Sequence, residues 1–473
     1  MNQKFRNFLK NFMHALSANV IRLMISVVMT LVLPRILGVE EYSYWQLYLF
    51  YVTYTAYSSI GWCEGTYLKY GGMEYAKLDR SRMAGQFWAL AVFQLIFCTV
   101  FGTAAHFLID NPYKSTILML ALVSSMFDIL RYLLQNILQT TGRIKDFARI
   151  MTLERMLFFV LSVGALLLGF RNFYVLIFME ITGRILSMCY AMYVCREIVF
   201  AKLDSFHEIT KESKEIIGIG YKLLAASFAS QLIIGIVRFA IEQKWGTIVF
   251  GKVSLTLSLS NMVITCIGAV SVVLFPMLKK MKEETLEELF LTMRTVLTVP
   301  VLAVLIFYTP MRWILELWLP QYHDSLHYLA VLFPICVYET RSVALIDTYL
   351  KAYRKEKLIL FNSLVTVGIS ALLSWITVFL MGSLDAAVIS IVLLMMFKNI
   401  FSEKMLLRSS LPVKVWKDNL LEVALTGIFI LVNWKIGGIT AMLLYTAAYI
   451  IYVLLKSKDI KREMKNLKKI ARG

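Results

Sequence analysis

The chain has 473 residues, of which 59% are hydrophobic and 17% charged, where a soluble domain carries about 25% charged residues. A soluble fold this apolar could not cover its own core, so a multi-pass membrane protein is expected and a soluble enzyme or binding module is excluded. The net charge of +18 would suit nucleic acid in a soluble protein; here basic cytoplasmic loops account for it, and no nucleic-acid partner is expected.

Stretches of about 20 apolar residues predict fourteen spans: 12–34, 43–66, 84–109, 114–138, 147–169, 173–198, 217–241, 247–278, 288–318, 325–350, 358–381, 384–406, 417–434 and 437–456. The second is weakest, being rich in Tyr, Ser and Thr. With the N-terminus inside, the cytoplasmic connections and both termini hold 34 Lys and Arg, from Lys4, Arg6 and Lys10 through Lys279, Lys280 and Lys282 to the Lys-rich tail. The other side holds five: Arg35, Lys114, Arg171, Lys244 and Lys435. That bias predicts cytoplasmic termini in a plasma (inner) membrane, with no cleaved leader. The expected organisation is all-α: a six-helix lobe at 1–198, a cytoplasmic linker at 199–216, a second six-helix lobe at 217–406, an extra transmembrane pair at 407–456 and a basic tail at 457–473. In the tail, Ile460, Met464, Leu467 and Ile470 recur at helical spacing, which fits either an amphipathic helix on the anionic leaflet or a solvated end.

Ten basic residues fall inside these spans: Arg22, Arg131, Arg155, Arg184, Arg238, Lys252, Arg294, Arg312, Arg341 and Lys398. A charge at the membrane centre costs at least about 2.5–3.5 kcal/mol. Arg294, Arg312 and Lys398 lie near span ends, where snorkelling is expected; Arg22, Arg184 and Arg341 lie near mid-span. Asn19, Arg22, Ser26 and Thr30 share one helical face, as do Ser227, Gln231, Arg238 and Glu242. Two polar stripes fit a water-accessible cavity, or else interhelical hydrogen bonding. In a cavity, Arg22, Arg238, Lys252 and Arg341, with Asn19, Ser26 and Gln231, would favour an anionic ligand, since the guanidinium fork suits phosphate. Asp128 with Arg131 and Glu180 with Arg184 have the spacing of local pairs. Glu339 and Arg341, two apart, need a partner on another helix or a ligand. Glu64, Asp128, Glu180 and Glu339 are the candidates to carry a proton or Na⁺; no other cofactor is expected.

Tyr44, Tyr48 and Tyr51, with Trp45, Tyr54 and Tyr57 close by, fit an interfacial belt or a sugar-stacking surface. His323 and His327 lack a third metal ligand. The sequence has neither a GxxxxGK[ST] nor an HExxH motif, and every outside loop is short, so an enzyme of glycan assembly such as a polymerase is the weaker reading.

Several stretches resemble the polysaccharide transport, Wzx-type oligosaccharide flippase family of the multidrug/oligosaccharidyl-lipid/polysaccharide exporter superfamily. They are LPRILGVEEYSYWQLY (33–48), SIGWCEGTYLKYGG (59–72), LQNILQTTGRIKDFARIMTLER (134–155), IIGIVRFAIEQKWGTIVFGKVSLTLSLS (233–260), VLFPML (273–278) and LFPICVYETRSVALIDTYLKAYRKEK (332–357). One departure stands at 237–238, where this chain has Val-Arg and many members carry an acidic residue before a basic one. The resemblance implies two six-helix lobes around a central cavity, alternating access, and an undecaprenyl-diphosphate-linked oligosaccharide as the substrate flipped to the outer leaflet. The partners expected are this lipid-linked substrate, the bilayer and polysaccharide assembly proteins, and the chain is expected to act as a monomer. The extra pair is similar to that of lipid II flippases; a lipid II flippase or a multidrug antiporter of the same superfamily is the alternative.

Overall fold

The computed structural model describes residues 3–278, 283–411 and 415–470, with side chains described over 20–262, 264, 286–411 and 415–466. Among them there are helices and turns and no strand. The expected basic connection at Lys279, Lys280 and Lys282 lies outside the described residues, as does the side chain of Asn19. The chain divides into two units, Met1–Phe228 and Ala229–Gly473.

The first unit is built from α1 (Gln3–Leu37), α2 (Val39–Thr55), α3 (Trp62–Lys69), α4 (Arg80–Leu108), α5 (Pro112–Thr140), α6 (Ile144–Leu167), α7 (Phe173–Val194), the short α8 (Arg196–Val199) and the start of α9 (Phe206–Leu278). Caps set several starts. Asp79 accepts from Arg82 N at 3.1 Å, Asn111 from Tyr113 N at 3.0 Å, and Asn172 from Tyr174 N at 2.8 Å, each satisfying an amide that the first turn leaves unpaired. Neighbouring helices pack in sequence, α4 on α5 and α6 on α7, while α1 lies on α6 and α2 on α5 and α7. The core joins Phe87 and Leu90 of α4 to Leu133, Leu134 and Ile137 of α5 and to Ile150 of α6.

The weak second span is interrupted. It ends as an α-helix at Thr55, tightens into a 3₁₀ turn over Ala56–Ser59, and restarts at Trp62 after Ile60 and Gly61, both at positive φ. Of the fourteen expected spans, α2 and α18 (Trp416–Lys435) are absent from the eleven helices that, among the described residues, are long and apolar enough to cross a membrane. The 17-residue α2 stops early, and α18 carries Lys417, Asp418, Glu422 and Lys435. Spans seven and eight follow each other within α9 without a loop, separated by a kink at Gly246, whose backbone is not helical (φ 81, ψ 177).

The expected linker at 199–216 is mostly helix rather than loop. Its residues join the first unit: Gln86 Nε2 donates to Ile209 O at 3.1 Å, Ser213 Oγ to Gln86 Oε1 at 2.9 Å, and Tyr70 Oη to Glu212. Lys69 pairs with Glu212 and Glu215 at 2.8 Å each. A Cβ on Gly220 would stand 2.0 Å from Gly61 O, and one on Gly65 would stand 1.9 Å from Ile216 O. Backbone therefore meets backbone where α3 crosses α9, which only glycine allows. The division between units falls inside α9, beyond the expected boundary.

The second unit continues α9 and adds α10 (Glu283–Val304), α11 (Tyr308–Trp318), four short pieces α12 (His323–Leu326), α13 (Leu329–Leu332), α14 (Ile335–Arg341) and α15 (Asp347–Ala352), then α16 (Glu356–Ser374), α17 (Leu384–Ser410), α18, α19 (Gly438–Leu455) and α20 (Ser457–Ile470). A wide π-helical turn, Ser342–Ile346, separates α14 from α15. Ile233, Val237, Ala240 and Ile241 of α9 meet Ile391, Val392 and Met395 of α17 in the core. The tail is docked through a polar contact: Glu463 of α20 is buried and accepts from Thr292 Oγ1 of α10 at 2.7 Å. Met464 stays 45% exposed, and Leu467 and Ile470 lie outside the described side chains.

Candidate functional site

In the first unit the mid-span charges collect on α5, α6 and α7. Arg131 donates to Asp128, one turn away, and to Gln135 Oε1 at 2.8 Å, and lies 3.5 Å from Glu154 of α6. Arg184 donates to Glu180 at 2.7 Å and lies 3.9 Å from Asp128. Arg155 Nε is 3.7 Å from Glu154. The two local pairs read from spacing are therefore present, and Asp128 and Glu154 join them into one network across three helices. Nε of Arg131, Arg155 and Arg184 is buried without a hydrogen-bond partner among the described residues.

Arg22 of α1 belongs to the edge of this network. Ile25, Met29 and Leu33 form the buried face of α1, whereas Arg22 and Ser26 are exposed. Arg22 interacts through space with Arg155 and Glu154. The group comprises four guanidiniums, Arg22, Arg131, Arg155 and Arg184, and three carboxylates, Asp128, Glu154 and Glu180. It carries an excess positive charge. A charged side chain on a spanning helix faces a water-filled cavity, pairs with another polar group or snorkels to the interface, and marks a candidate ligand pathway.

Beside it lies a cavity of about 220 Å³, lined by Tyr57, Ser59, Glu64, Asp128 and Tyr132 among others. Two of the four candidate coupling acids thus share one cavity. Glu64 Oε2 is buried without a hydrogen-bond partner among the described residues, while Asp128 is held by Arg131. Glu180 is committed to Arg184.

The expected stripe on α9 turns inward along the helix. Ser227 falls in the first unit; in the second, Gln231 is exposed, Arg238 half-buried and Glu242 1% exposed. Arg238 Nη2 donates to Ser254 Oγ at 2.8 Å, and its guanidinium lies 4.9 Å from the Phe250 ring centre. Lys252 is half-buried on the same helix.

Arg341 is 2% exposed and saturated by protein groups. It donates to Glu422 and Asn399, and to Asn419 Oδ1 at 3.0 Å. Arg294, expected to snorkel, is instead 1% exposed, bound to Glu403 at 2.9 Å and to both oxygens of Glu422. Lys398 is likewise buried, 3.4 Å from Glu339 and 3.0 Å from Ser230 Oγ. Both members of the 339/341 pair therefore find partners on other helices. Arg312 pairs with Glu316 at 2.7 Å.

Glu154, Glu403, Glu422, Asn399 and Asn419 were not among the sequence candidates. The signal was available: an acidic residue inside an apolar span has the same need for a partner as an arginine there.

The aromatic face of α2 is largely packing. Tyr48 is buried and donates to Ser124 at 2.7 Å, Trp45 stacks on Phe158, and Tyr44 stacks on Phe173. His323 lies 3.6 Å from Glu316, while the His327 ring rests 3.9 Å from that of Trp434. Among the described residues no group of three His, Cys, Asp or Glu could hold a metal.

The sequence matches no family model, and no curated protein matches it significantly. Solved structures do share its fold. The chain is similar to the lipid II flippase MurJ in an inward closed conformation, at 10% identity and a TM-score of 0.66, over 96% of this chain and 100% of that one. It is also similar to an inward-facing multidrug resistance transporter of the MATE family of the MOP superfamily, at 14% identity and a TM-score of 0.63, over 82% of this chain and 98% of that one. The fold is that of MOP-superfamily transporters.

Proposed function

We propose that this protein is a flippase, carrying an undecaprenyl-diphosphate-linked oligosaccharide from the inner to the outer leaflet of the plasma membrane by alternating access. The observation that carries this reading is Arg22: an exposed guanidinium on a spanning helix, at the edge of a network with more cations than carboxylates. A diphosphate is the kind of group that such a surplus attracts, and Arg22 with Ser26 supplies donors in place of the water it leaves. The likeness to a lipid II flippase over nearly the whole chain supports a lipid-linked cargo over a drug cation. A cationic face would repel a cation. Glu64, in the cavity beside the network, is the acid best placed to carry a coupling proton or Na⁺.

The test is lipid extraction from cells depleted of the protein, with mass spectrometry and an outside-only label. Accumulation of a complete undecaprenyl-diphosphate oligosaccharide shielded from the label supports flipping. Accumulated lipid II would reassign the cargo, and label-accessible single repeat units would place the block at polymerisation.

A further inference from the structure

We propose that a cavity at one end of the second unit, between α11 and the turn joining α18 to α19, is a binding site for a neutral pyranose. The cavity measures about 370 Å³, within the range of small-molecule sites. Arg312, Trp313 and Glu316 of α11 form one wall, and Asn433 and Trp434 at the end of α18 form another.

These side chains answer the two demands of a sugar ring. A pyranose has an apolar C–H face that packs on an aromatic ring, and a fringe of hydroxyls needing both donors and acceptors. Trp313 is 49% exposed. The Trp434 ring lies against the His327 ring, with centroids 3.9 Å apart and planes tilted by 44°. Arg312 and Glu316 hydrogen-bond to each other while each keeps about a fifth of its side chain accessible. They therefore offer a donor and an acceptor side by side, the spacing of vicinal hydroxyls.

Asn433 points to a hydroxyl in particular. It is 3% exposed, and its Nδ2 donates to Phe429 O at 2.9 Å, which fixes the orientation of the amide. That leaves Oδ1 a buried acceptor without a partner among the described residues. An acceptor buried this way costs free energy until a donor reaches it. A sugar hydroxyl is such a donor; a carboxylate is not. The charge of the cavity agrees, because Arg312 and Glu316 cancel, and burial with the nearby Arg312 holds His327 towards its neutral form. A uronic acid would gain nothing here that a neutral sugar lacks.

The experiment uses the full chain in phospholipid nanodiscs, free of sugar-headed detergent, with saturation-transfer NMR as the readout. The probes are methyl β-D-glucopyranoside, N-acetylglucosamine and glucuronate. Saturable binding of at least one neutral sugar is expected, weaker for glucuronate, and weakened about tenfold or more by Trp434→Ala and by Asn433→Leu. Trp434→Phe, which keeps a ring, should retain most of the affinity. Thermal melting reports whether each variant folds; if Trp434→Ala does not, Trp313→Ala at its exposed position carries the same test. No saturable signal from either neutral sugar, tightest binding of glucuronate, or unchanged affinity in the folded variants would overturn the assignment. Translocation plays no part in this measurement, so its failure and that of the flippase reading are separable.

Discussion

Arg294 of α10 holds both oxygens of the Glu422 carboxylate on α18, with Nη1 at 2.7 Å and Nη2 at 2.9 Å. Arg341 of α14 donates to the same carboxylate, and Glu403 of α17 accepts from Arg294 Nε. One acid therefore ties three helices together in a place where water cannot replace it.

Glu422→Ala should be severely destabilising, because it leaves two buried guanidiniums with Glu403 as their one buried carboxylate. Removing one partner of a buried pair costs about 3–5 kcal/mol. Glu422→Gln, which keeps an acceptor, should lose less. Thermal melting of the purified variants decides this; a Glu422→Ala protein that melts with the parent would show that the cluster does not hold the helices.

Gly220→Ala places a Cβ 2.0 Å from the carbonyl oxygen of Gly61, and neither backbone can yield cheaply. Overpacking costs about 1–3 kcal/mol and occasionally more, so a clear loss of thermal stability is expected. Gly218→Ala, two residues earlier and facing open space, is the control; helix propensity makes it neutral or stabilising by up to about 1 kcal/mol. Equal melting of the two would remove the argument for a close helix crossing.

Arg22→Ala should abolish transport without reducing the amount of protein in the membrane, since Arg22 is exposed and removes no buried contact. Arg22→Lys should keep part of the activity, retaining charge but losing the planar fork. The shielded lipid-linked oligosaccharide measured in each strain gives the result. Full transport by Arg22→Ala would sink the phosphate-contact role.

His327, in the turn before α13, should titrate below the usual histidine value of about 6.5. Burial lowers its pKa first, and the positive charge of Arg312 adds to that. With the folded value depressed, the unfolded chain binds the extra proton. The contribution of His327 to stability is therefore complete above about pH 6.5 and is lost as pH falls through the folded pKa. Protonation beneath Trp434 should quench its fluorescence, so the difference in emission between the parent and Trp434→Phe across that range reports the midpoint. Arg312→Gln should raise it; a midpoint unmoved by that change would mean that Arg312 does not act on His327.

The apolar runs made most of this architecture legible, because a spanning helix announces itself by length alone. The pairs Asp128–Arg131 and Glu180–Arg184 were equally legible, since helical spacing decides who meets whom within one helix. What spacing does not encode is the partner across helices. Glu422 and Arg341 are 81 residues apart, and nothing local to either predicts the other. The same limit explains Arg294 and Lys398: distance from a span end suggested snorkelling, but carboxylates on neighbouring helices hold them inside. At 199–216 the charged residues suggested a solvated linker. In fact Lys211, Lys214 and Glu215 lie on the surface of a helix whose other face, with Ile209, Glu212, Ser213 and Ile216, packs on α3 and α4.

The cluster around Glu422 also constrains how the chain is made. Ribosomes deliver α10 and α14 to the translocon well before α17 and α18, so Arg294 and Arg341 enter the bilayer ahead of the carboxylates that will neutralise them. Until Glu403 and Glu422 follow, both guanidiniums lack the carboxylates that hold them in the folded protein. The last helix pair is for that reason no detachable appendix. A version of this chain trimmed back to its first twelve spans would keep both arginines with Glu403 as the one carboxylate of the cluster left to them, and quality-control proteases would be its expected fate.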